Sequence, residues 1–230
     1  MNSLWESVVK VYLRLIEPVA VLFIRLRISP NTLTTVGTLC TVAAGLAFGM
    51  GHIRTAGWIV GVTALFDVLD GTVARRTGQA TVFGAFYDST LDRVADGALL
   101  GGLAYFYATS PVHASNPMLA ICIIGIVGSF LVSYTRARAE ALGINAKVGL
   151  MQRPERIALL SAPQALFGLT LNGWVLAAVV ALLTLTAWIT AFQRIAFVRK
   201  ATGNAAATPL LVLNDKSSPS ARNAPRRAQS

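Results

Sequence analysis

Charged residues are scarce in this sequence, and so are the side chains that build zinc sites and disulfides. Only 13% of the 230 residues are Asp, Glu, Lys or Arg, whereas a soluble domain has about 25%. The chain has two cysteines and two histidines. Cys40 and Cys122 each lie in an apolar stretch, far from any metal-ligand pattern. These scarcities argue against a soluble domain, a disulfide scaffold and a zinc site.

Long apolar runs are what the sequence has in abundance, with 54% hydrophobic residues and a mean hydropathy of +0.60. About 20 apolar residues, at a rise of 1.5 Å each, cross a bilayer. Six segments meet this requirement and predict an all-α integral membrane fold with six transmembrane helices. The predicted spans are Thr32–Met50, Thr55–Ala74, Phe83–Ala108, Pro117–Arg138, Arg156–Thr170 and Gly173–Phe197.

The two ends of the chain differ from this membrane domain, which we place at residues 1–200. Residues Leu4 to Arg27 mix apolar and charged side chains, a pattern typical of an amphipathic juxtamembrane helix on the membrane surface. Residues 201–230 are rich in Ala, Ser, Pro, Asn and Arg, which predicts a disordered cytoplasmic tail.

The distribution of basic residues predicts the orientation. Arg54 is the only one of the 20 Lys and Arg residues that falls at the outer ends of the six spans. Because Lys-rich and Arg-rich ends face the cytoplasm, both termini are predicted there, in a multi-pass protein of the cell membrane. The net charge of +10 then reflects topology and anionic lipid headgroups. Nucleic-acid binding is not expected, because there is no soluble basic domain.

Acidic residues lie at membrane depth in two of the spans. Asp67 and Asp70 fall near the cytoplasmic end of the second, and Asp88, Asp92 and Asp96 in the first turns of the third. Residues three or four apart share a helix face, so each set forms an acidic face. Charges at this depth are costly, which favours a functional role. The short connection predicts that the two helices are antiparallel neighbours whose acidic faces meet across a cavity.

Carboxylates that face one another need a compensating cation. Oxygen ligands suit Mg²⁺, Mn²⁺ or Ca²⁺, and no His or Cys is near enough in sequence to favour zinc. From the acidic residues alone, two other interpretations stay open. One is a network of polar contacts between helices, and the other is an ion pathway.

Two glycines accompany the acidic residues. Gly71 follows Asp70, and Gly84 lies one turn before Asp88. Glycine within a helix costs about 1 kcal/mol relative to alanine, so a bulky group is expected to approach the backbone there. Close packing of helices through small residues is the alternative. Arg75, one turn after Gly71, is placed to contact a phosphate or an acidic side chain. A metal site beside an arginine and two glycines is the combination that binding of a pyrophosphate requires.

In one-letter code, residues 67 to 92 read DVLDGTVAR, eight further residues, and then GAFYDSTLD. This stretch resembles the motif D-x2-D-G-x2-A-R-x8-G-x3-D-x3-D of the CDP-alcohol phosphotransferase family, with no departure at any fixed position. With the six predicted spans, the resemblance covers roughly residues 1–200. It implies a homodimeric membrane enzyme that transfers the phosphatidyl group of a CDP-linked lipid to an alcohol and releases CMP.

The resemblance also implies roles for individual residues. Two divalent ions, Mg²⁺ with Mn²⁺ as a substitute, would be held by Asp67, Asp70, Asp88 and Asp92. Asp92 would also take the proton of the acceptor hydroxyl. The CDP portion would be bound by residues of the motif and of the sequence P-N-x-L-T, which equally fits a helix N-terminus. These residues are Asn31, Thr32, Thr34, Gly71, Arg75, Thr81 and Gly84.

A second basic region surrounds the connection between the fourth and fifth spans, with the sequences SYTRARAE and RPER. Guanidinium groups match a phosphomonoester dianion, which favours a phosphorylated acceptor, although cytoplasmic positive charge alone would explain most of these residues. The two sequences resemble actinobacterial phosphatidylinositol phosphate synthases, a branch of the family. The substrates implied are CDP-diacylglycerol and inositol 1-phosphate. The acceptor site is predicted at Ser133, Arg136, Arg138, Arg153, Arg156 and Arg194.

Three alternatives stay open at this point. Glycerol 3-phosphate carries the same dianion and would make the chain a phosphatidylglycerol phosphate synthase. A membrane prenyltransferase also holds magnesium diphosphate with Asp pairs, but does not require D-G-x-x-A-R. A cation channel or transporter predicts acidic residues near the midplane of the membrane, whereas here they gather at one edge. Asp96 has no expected role beyond orienting an arginine such as Arg93.

Overall fold

The structure, a computed structural model, describes residues 17–203, and this part of the chain is helical without any β-strand. Residues 17–25 form a short helix. Six longer helices follow, numbered here α1 to α6, and the turn Leu171–Gly173 precedes the last. Their bounds are Pro30–Gly49, Ile53–Thr77, Val82–Thr109, Asn116–Ala141, Arg153–Phe167 and Trp174–Gly203. The predicted all-α class is confirmed.

Local sequence signals set where the helices begin. At the start of α1, the Ser29 hydroxyl accepts a hydrogen bond of 3.2 Å from the backbone N–H of Thr32, and Pro30 is the first helical residue. At the start of α3, the Thr81 hydroxyl accepts one of 2.9 Å from Gly84. Such caps satisfy backbone N–H groups that lack a partner within the helix. The P-N-x-L-T sequence therefore forms the first turn of α1.

Helix α5 begins one turn before the predicted span. The side chains of Gln152 and Glu155 form a reciprocal capping box, in which the Gln152 N–H donates to Glu155 Oε2 at 2.8 Å. This pair starts the helix at Arg153, so that its first turn carries the two arginines of RPER. The helix ends at Phe167, because Gly168 has a φ of 55°, a conformation that glycine adopts without strain.

Helix α1 lies against both α2 and α3, while α2 packs on α5, α3 on α4, and α4 on α6. Helices α2 and α3 make no packing contact with each other, so the prediction that they are direct neighbours is wrong. Glycines let α1 come between them. A Cβ on Gly45 would lie 2.4 Å from the Ala98 carbonyl oxygen, and one on Gly102 would lie 1.9 Å from the Gly45 oxygen. The acidic faces of α2 and α3 therefore border a cleft.

Large apolar side chains cover the outside of the bundle, for example Leu46, Trp58 and Phe192. Within residues 17–203, four helical segments are long and apolar enough to cross a membrane, namely Pro30–Gly49, Ile53–Thr77, Asn116–Ala141 and Leu171–Gly203. Helix α5, with 15 residues, is too short to be one of these segments. Helix α3 has 28 residues but carries four charged residues, all between residues 88 and 96. The chain is thus a multi-pass membrane protein.

The predicted juxtamembrane helix lies partly outside the described residues, as does most of the predicted tail. Within the described part, residues 17–25 pack against the motif end of α2. Ala20 is buried in a cluster with Leu69 and Val73, and Glu17 pairs with Arg76 at 2.9 Å. This short helix is therefore attached to the end of α2 that carries the acidic motif.

Candidate active site

The carboxylates of the motif line the cleft between α2 and α3, and one arginine spans it. Arg153, at the first position of α5, forms ion pairs with Asp67 on α2 and Asp92 on α3. Its Nη2 lies 2.8 Å from Asp92 Oδ1. Its Nε lies 3.9 Å from Asp96 Oδ1. The two acidic faces therefore do face one space, although α2 and α3 do not touch.

Asp70 is the most buried of the four motif carboxylates, with 7% of its surface exposed. Its Oδ2 accepts a hydrogen bond of 2.7 Å from the Thr34 hydroxyl on α1. Thr34 is one of the residues predicted to contact the CDP portion, and in the structure its hydroxyl contacts the carboxylate of Asp70. A buried carboxylate needs such a donor, so Thr34 holds Asp70 in position.

Asp88 lies one turn before Asp92 on α3 and is partly exposed. The neighbouring Tyr87 fixes this turn against α1, because its hydroxyl lies 2.9 Å from the hydroxyl of Thr35. The N-terminal turns of α1 and α3 are thus joined by polar side chains beside the cleft.

The chemistry of the cleft fits divalent ions, although the side chains are not arranged around one. Within residues 17–203, no group of three acidic, His or Cys side chains is close enough to hold a metal ion. The reason is visible in the contacts: the Arg153 guanidinium lies between Asp67 and Asp92, while Asp70 is bonded to Thr34. A cation already neutralises these carboxylates, which is the requirement that a hard metal ion would meet.

The two motif glycines keep the backbone accessible beside the carboxylates. A Cβ on Gly84 would meet Thr81 Oγ1 at 3.1 Å and Asn31 Oδ1 at 3.4 Å, and the three atoms nearest to one on Gly71 all belong to the Arg75 side chain, the first at 3.1 Å. For Gly84, no backbone atom of another helix lies within 4 Å of such a Cβ. Backbone-to-backbone helix packing therefore does not explain Gly84, and three residues of the predicted CDP site, Asn31, Thr81 and Gly84, lie together.

The predicted acceptor residues surround a cavity of about 430 Å³ next to the cleft. Five of the six lie in its lining: Ser133, Arg136, Arg153, Arg156 and Arg194. Arg138 does not line it, because residues two apart on a helix point in different directions, and it is exposed. Lys147 and Arg93 also line the cavity, although neither was among the predicted residues. The positive charge of Lys147, in the connection between α4 and α5, could have identified it from the sequence.

The cavity arginines are held by different partners. Arg194 Nε donates to the Val148 carbonyl at 2.9 Å, and its Nη1 donates to the Val132 carbonyl. Arg136 pairs with Glu140 at 2.9 Å. Fixed guanidinium groups around a polar cavity are suited to a phosphate dianion.

Asp96 orients arginines, but not the expected one. Its Oδ2 accepts a hydrogen bond of 2.6 Å from Ser129 and lies 3.8 Å from Arg156 Nη2. Arg156 Nη1 in turn donates to the Ser129 hydroxyl at 3.1 Å. Arg93 pairs weakly with Asp92 instead, at 3.4 Å. The acidic face of α3 therefore continues as an anchor for the arginines of α5.

The cleft and the cavity are adjacent and share two residues, Asp92 and Arg153. Among the described residues that line the cavity, Asp92 carries the only carboxylate. Such an arrangement can bring a phosphorylated acceptor next to a charged leaving group and offer it a base.

Comparison with known proteins shows the family to which this chain belongs. Residues 27–206 match the sequence model of the CDP-alcohol phosphatidyltransferase family, a range that includes every predicted site residue. The chain belongs to this family. The resemblance carried by the motif is thereby confirmed, and the chain is an enzyme of this type. The prenyltransferase and transporter alternatives are set aside.

Individual members of the family show which of its branches this chain is similar to. A phosphatidylinositol phosphate synthase of Corynebacterium glutamicum is 41% identical over 160 residues, which are 69% of this chain and 70% of the relative. A crystal structure of Mycobacterium tuberculosis phosphatidylinositol phosphate synthase with CDP-DAG bound has a TM-score of 0.76 at 32% identity, covering 86% of this chain and all of that one. The same synthase in complex with manganese and citrate has a TM-score of 0.74 at 33% identity, with coverages of 84% and 92%.

Proposed function

We propose that the enzyme transfers the phosphatidyl group of CDP-diacylglycerol to inositol 1-phosphate, giving phosphatidylinositol phosphate and CMP. The observation that carries the proposal is the arginine-lined cavity that opens onto Asp92. It explains why the acceptor should carry a phosphate of its own. The synthases of Corynebacterium glutamicum and Mycobacterium tuberculosis support the choice of inositol phosphate.

Two divalent ions, Mg²⁺ or Mn²⁺, belong in the cleft, and the side chains that would hold them are Asp67, Asp70, Asp88 and Asp92. When bound, they neutralise the charge that develops on the phosphoryl oxygens. Manganese in the related synthase structure supports this assignment. Thr34 serves the set indirectly, by fixing Asp70 through its hydroxyl.

The CDP portion is assigned to the motif end of α1, α2 and α3. Gly71 and Gly84 leave the backbone open there, so that a pyrophosphate can come close to the helices. Arg75, Asn31 and Thr81 are the polar side chains nearest these glycines. Thr32, whose hydroxyl lies 2.8 Å from that of Ser29, is the last residue that we assign to the CDP site.

The reaction is a direct displacement. Asp92 takes the proton from a hydroxyl of inositol 1-phosphate, and that oxygen forms a bond to the phosphorus that carries the diacylglycerol. The bond from this phosphorus to the bridging oxygen breaks, and CMP leaves with the electron pair. The proton on Asp92 then passes to water. The cavity arginines orient the acceptor during the step, which removes much of the entropic cost of bringing two substrates together.

The acceptor phosphate is assigned to Ser133, Arg136, Arg153, Arg156 and Arg194, which line the cavity. Arg138, the sixth residue of the prediction, is left out because it lies outside the lining. Glycerol 3-phosphate has the same dianion and is the second candidate, since the arginines recognise the phosphate and not the polyol. Discrimination between inositol 1-phosphate and glycerol 3-phosphate must therefore come from contacts to the inositol hydroxyls.

We also propose that all six helices cross the cell membrane, with both termini and the active site on the cytoplasmic side. Helix α3, at about 40 Å, is long enough to cross, and its charged residues Asp92, Arg93 and Asp96 contact side chains of the cleft and of the arginine cavity. Arg54 stands at the opposite end of α2 from the acidic motif. The domain bounds of 1–200, the disordered tail at 201–230 and the homodimer stay predictions.

The test is CMP release by the protein purified in detergent, supplied with Mg²⁺ and CDP-diacylglycerol. Inositol 1-phosphate, glycerol 3-phosphate and free inositol are compared in parallel, with Asp92→Asn as the inactive control. We expect release with inositol 1-phosphate only, and none from the variant. Release with glycerol 3-phosphate alone would keep the mechanism and overturn the acceptor. No release with any of the three would overturn the proposed function.

A further inference from the structure

Arg153 takes part in both halves of the active site. It lines the arginine cavity, yet its two terminal nitrogens are bonded to Asp67 and Asp92 in the cleft. Its side chain is 22% exposed, and its Nε is buried without a hydrogen-bond partner. In this conformation the donors of Arg153 serve carboxylates and not an acceptor phosphate.

Two kinds of cation would bind the same two carboxylates, the guanidinium of Arg153 and a divalent metal ion. Asp67 and Asp92 are bonded to the guanidinium here, and both are assigned to divalent ions in the loaded enzyme. A guanidinium and a divalent ion between the same two carboxylates would repel each other strongly at such short range. One must leave when the other arrives.

We propose that Arg153 is the counter-ion of the unloaded cleft and moves to the acceptor cavity when divalent ions bind. Metal loading would then supply the acceptor site with one of its arginines, so that the acceptor phosphate binds best to the loaded enzyme. This inference rests on the proposed function and adds an order of binding to it. Arg153 acts in it as a positioning residue that couples the two sites.

The partners of the other arginines explain why Arg153 is the one that moves. Arg194 is held by two backbone carbonyls, Arg156 by Ser129 and Asp96, and Arg136 by Glu140. None of these partners is assigned to a metal ion. Asp96, which is not assigned to a metal ion, lies 3.9 Å from the Nε of Arg153.

The test is a titration with Mn²⁺ followed by electron paramagnetic resonance, on the full chain in detergent without CDP-diacylglycerol. Arg153→Ala leaves two carboxylates without their counter-ion, so we expect Mn²⁺ to bind about three- to tenfold more tightly than to the unmodified protein. Arg136→Ala is the matched control, because Arg136 lines the same cavity but pairs with Glu140. Its Mn²⁺ affinity should be unchanged. Unchanged or weaker binding by Arg153→Ala would overturn the proposal.

A second measurement compares the unmodified protein with the same Arg153→Ala variant. Coupling between two sites is reciprocal, so saturating inositol 1-phosphate should tighten Mn²⁺ binding to the unmodified protein severalfold, and Arg153→Ala should lose this effect. An equal effect in both proteins, or none in the unmodified one, would refute the coupling. These titrations involve no turnover. Failure of CMP release together with tighter Mn²⁺ binding by Arg153→Ala would refute the proposed function but keep Arg153 as counter-ion.

Discussion

At the scale of single residues, the hydrogen bond between Thr34 and Asp70 is the contact that ties α1 to the proposed chemistry. The carboxylate is almost fully buried, and the Thr34 hydroxyl is its donor at 2.7 Å. Leaving a buried acceptor without its donor costs about 1–3 kcal/mol. The position of Asp70 should therefore depend on a residue 36 positions earlier in the chain.

We predict that Thr34→Val lowers the turnover with CDP-diacylglycerol and inositol 1-phosphate by about tenfold and weakens Mn²⁺ binding, because Asp70 loses its donor. Thr34→Ser keeps the hydroxyl and should stay within about twofold of the unmodified enzyme. Turnover and Mn²⁺ affinity of both variants would be measured beside their melting temperatures. Equal turnover for Val and Ser would show that the hydroxyl is dispensable.

Residue spacing predicted part of the site and not the rest. The i, i+3 and i, i+4 spacings predicted an acidic face on each helix, and the fit of the P-N-x-L-T sequence to a helix N-terminus is confirmed at the start of α1. The pairing of Arg153 with Asp67 joins residues 86 positions apart, which no local pattern encodes. The exclusion of Arg138 was foreseeable, since it and Arg136 are two residues apart on one helix.

At the scale of elements, the contact between α1 and α3 decides the shape of the cleft. Gly45 and Gly102 face each other so closely that the Gly102 position has no room for a Cβ. Small residues allow such backbone contact between helices in membranes. The prediction of α2 and α3 as neighbours failed because chain order says nothing about which helices have matching small-residue faces.

We predict that Gly102→Ala forces α1 away from α3, since its Cβ would lie 1.9 Å from the Gly45 oxygen, and lowers the melting temperature by about 5 °C or more. Gly101→Ala is the matched control, because nothing lies within 4 Å of a Cβ there. It should leave stability unchanged or slightly higher, as alanine favours helices. Thermal unfolding in detergent would distinguish the two, and equal melting temperatures would contradict the close contact.

At the scale of the whole molecule, the acidic motif and the arginine cavity lie at one end of the bundle, and Arg54 at the other. We predict that His52→Cys, in the connection between α1 and α2, reacts with a membrane-impermeant maleimide on intact cells. Gln79→Cys, between α2 and α3, should react only after permeabilisation. Both would be made in a background in which Cys40 and Cys122 are replaced by Ala. The reverse labelling pattern would invert the orientation.

The missing contact between α2 and α3 has a consequence for how a lipid reaches its enzyme. We expect the cleft that these two helices border to be reachable from the bilayer at its side as well as from water. Exposed Val82, Phe83 and Phe86 stand at this edge of α3, where acyl chains can lie against them. The nucleotide headgroup can therefore enter the cleft while its tails never leave the hydrocarbon layer. Substrate supply then becomes diffusion in two dimensions, set by the fraction of the lipid in the membrane and not by its concentration in water.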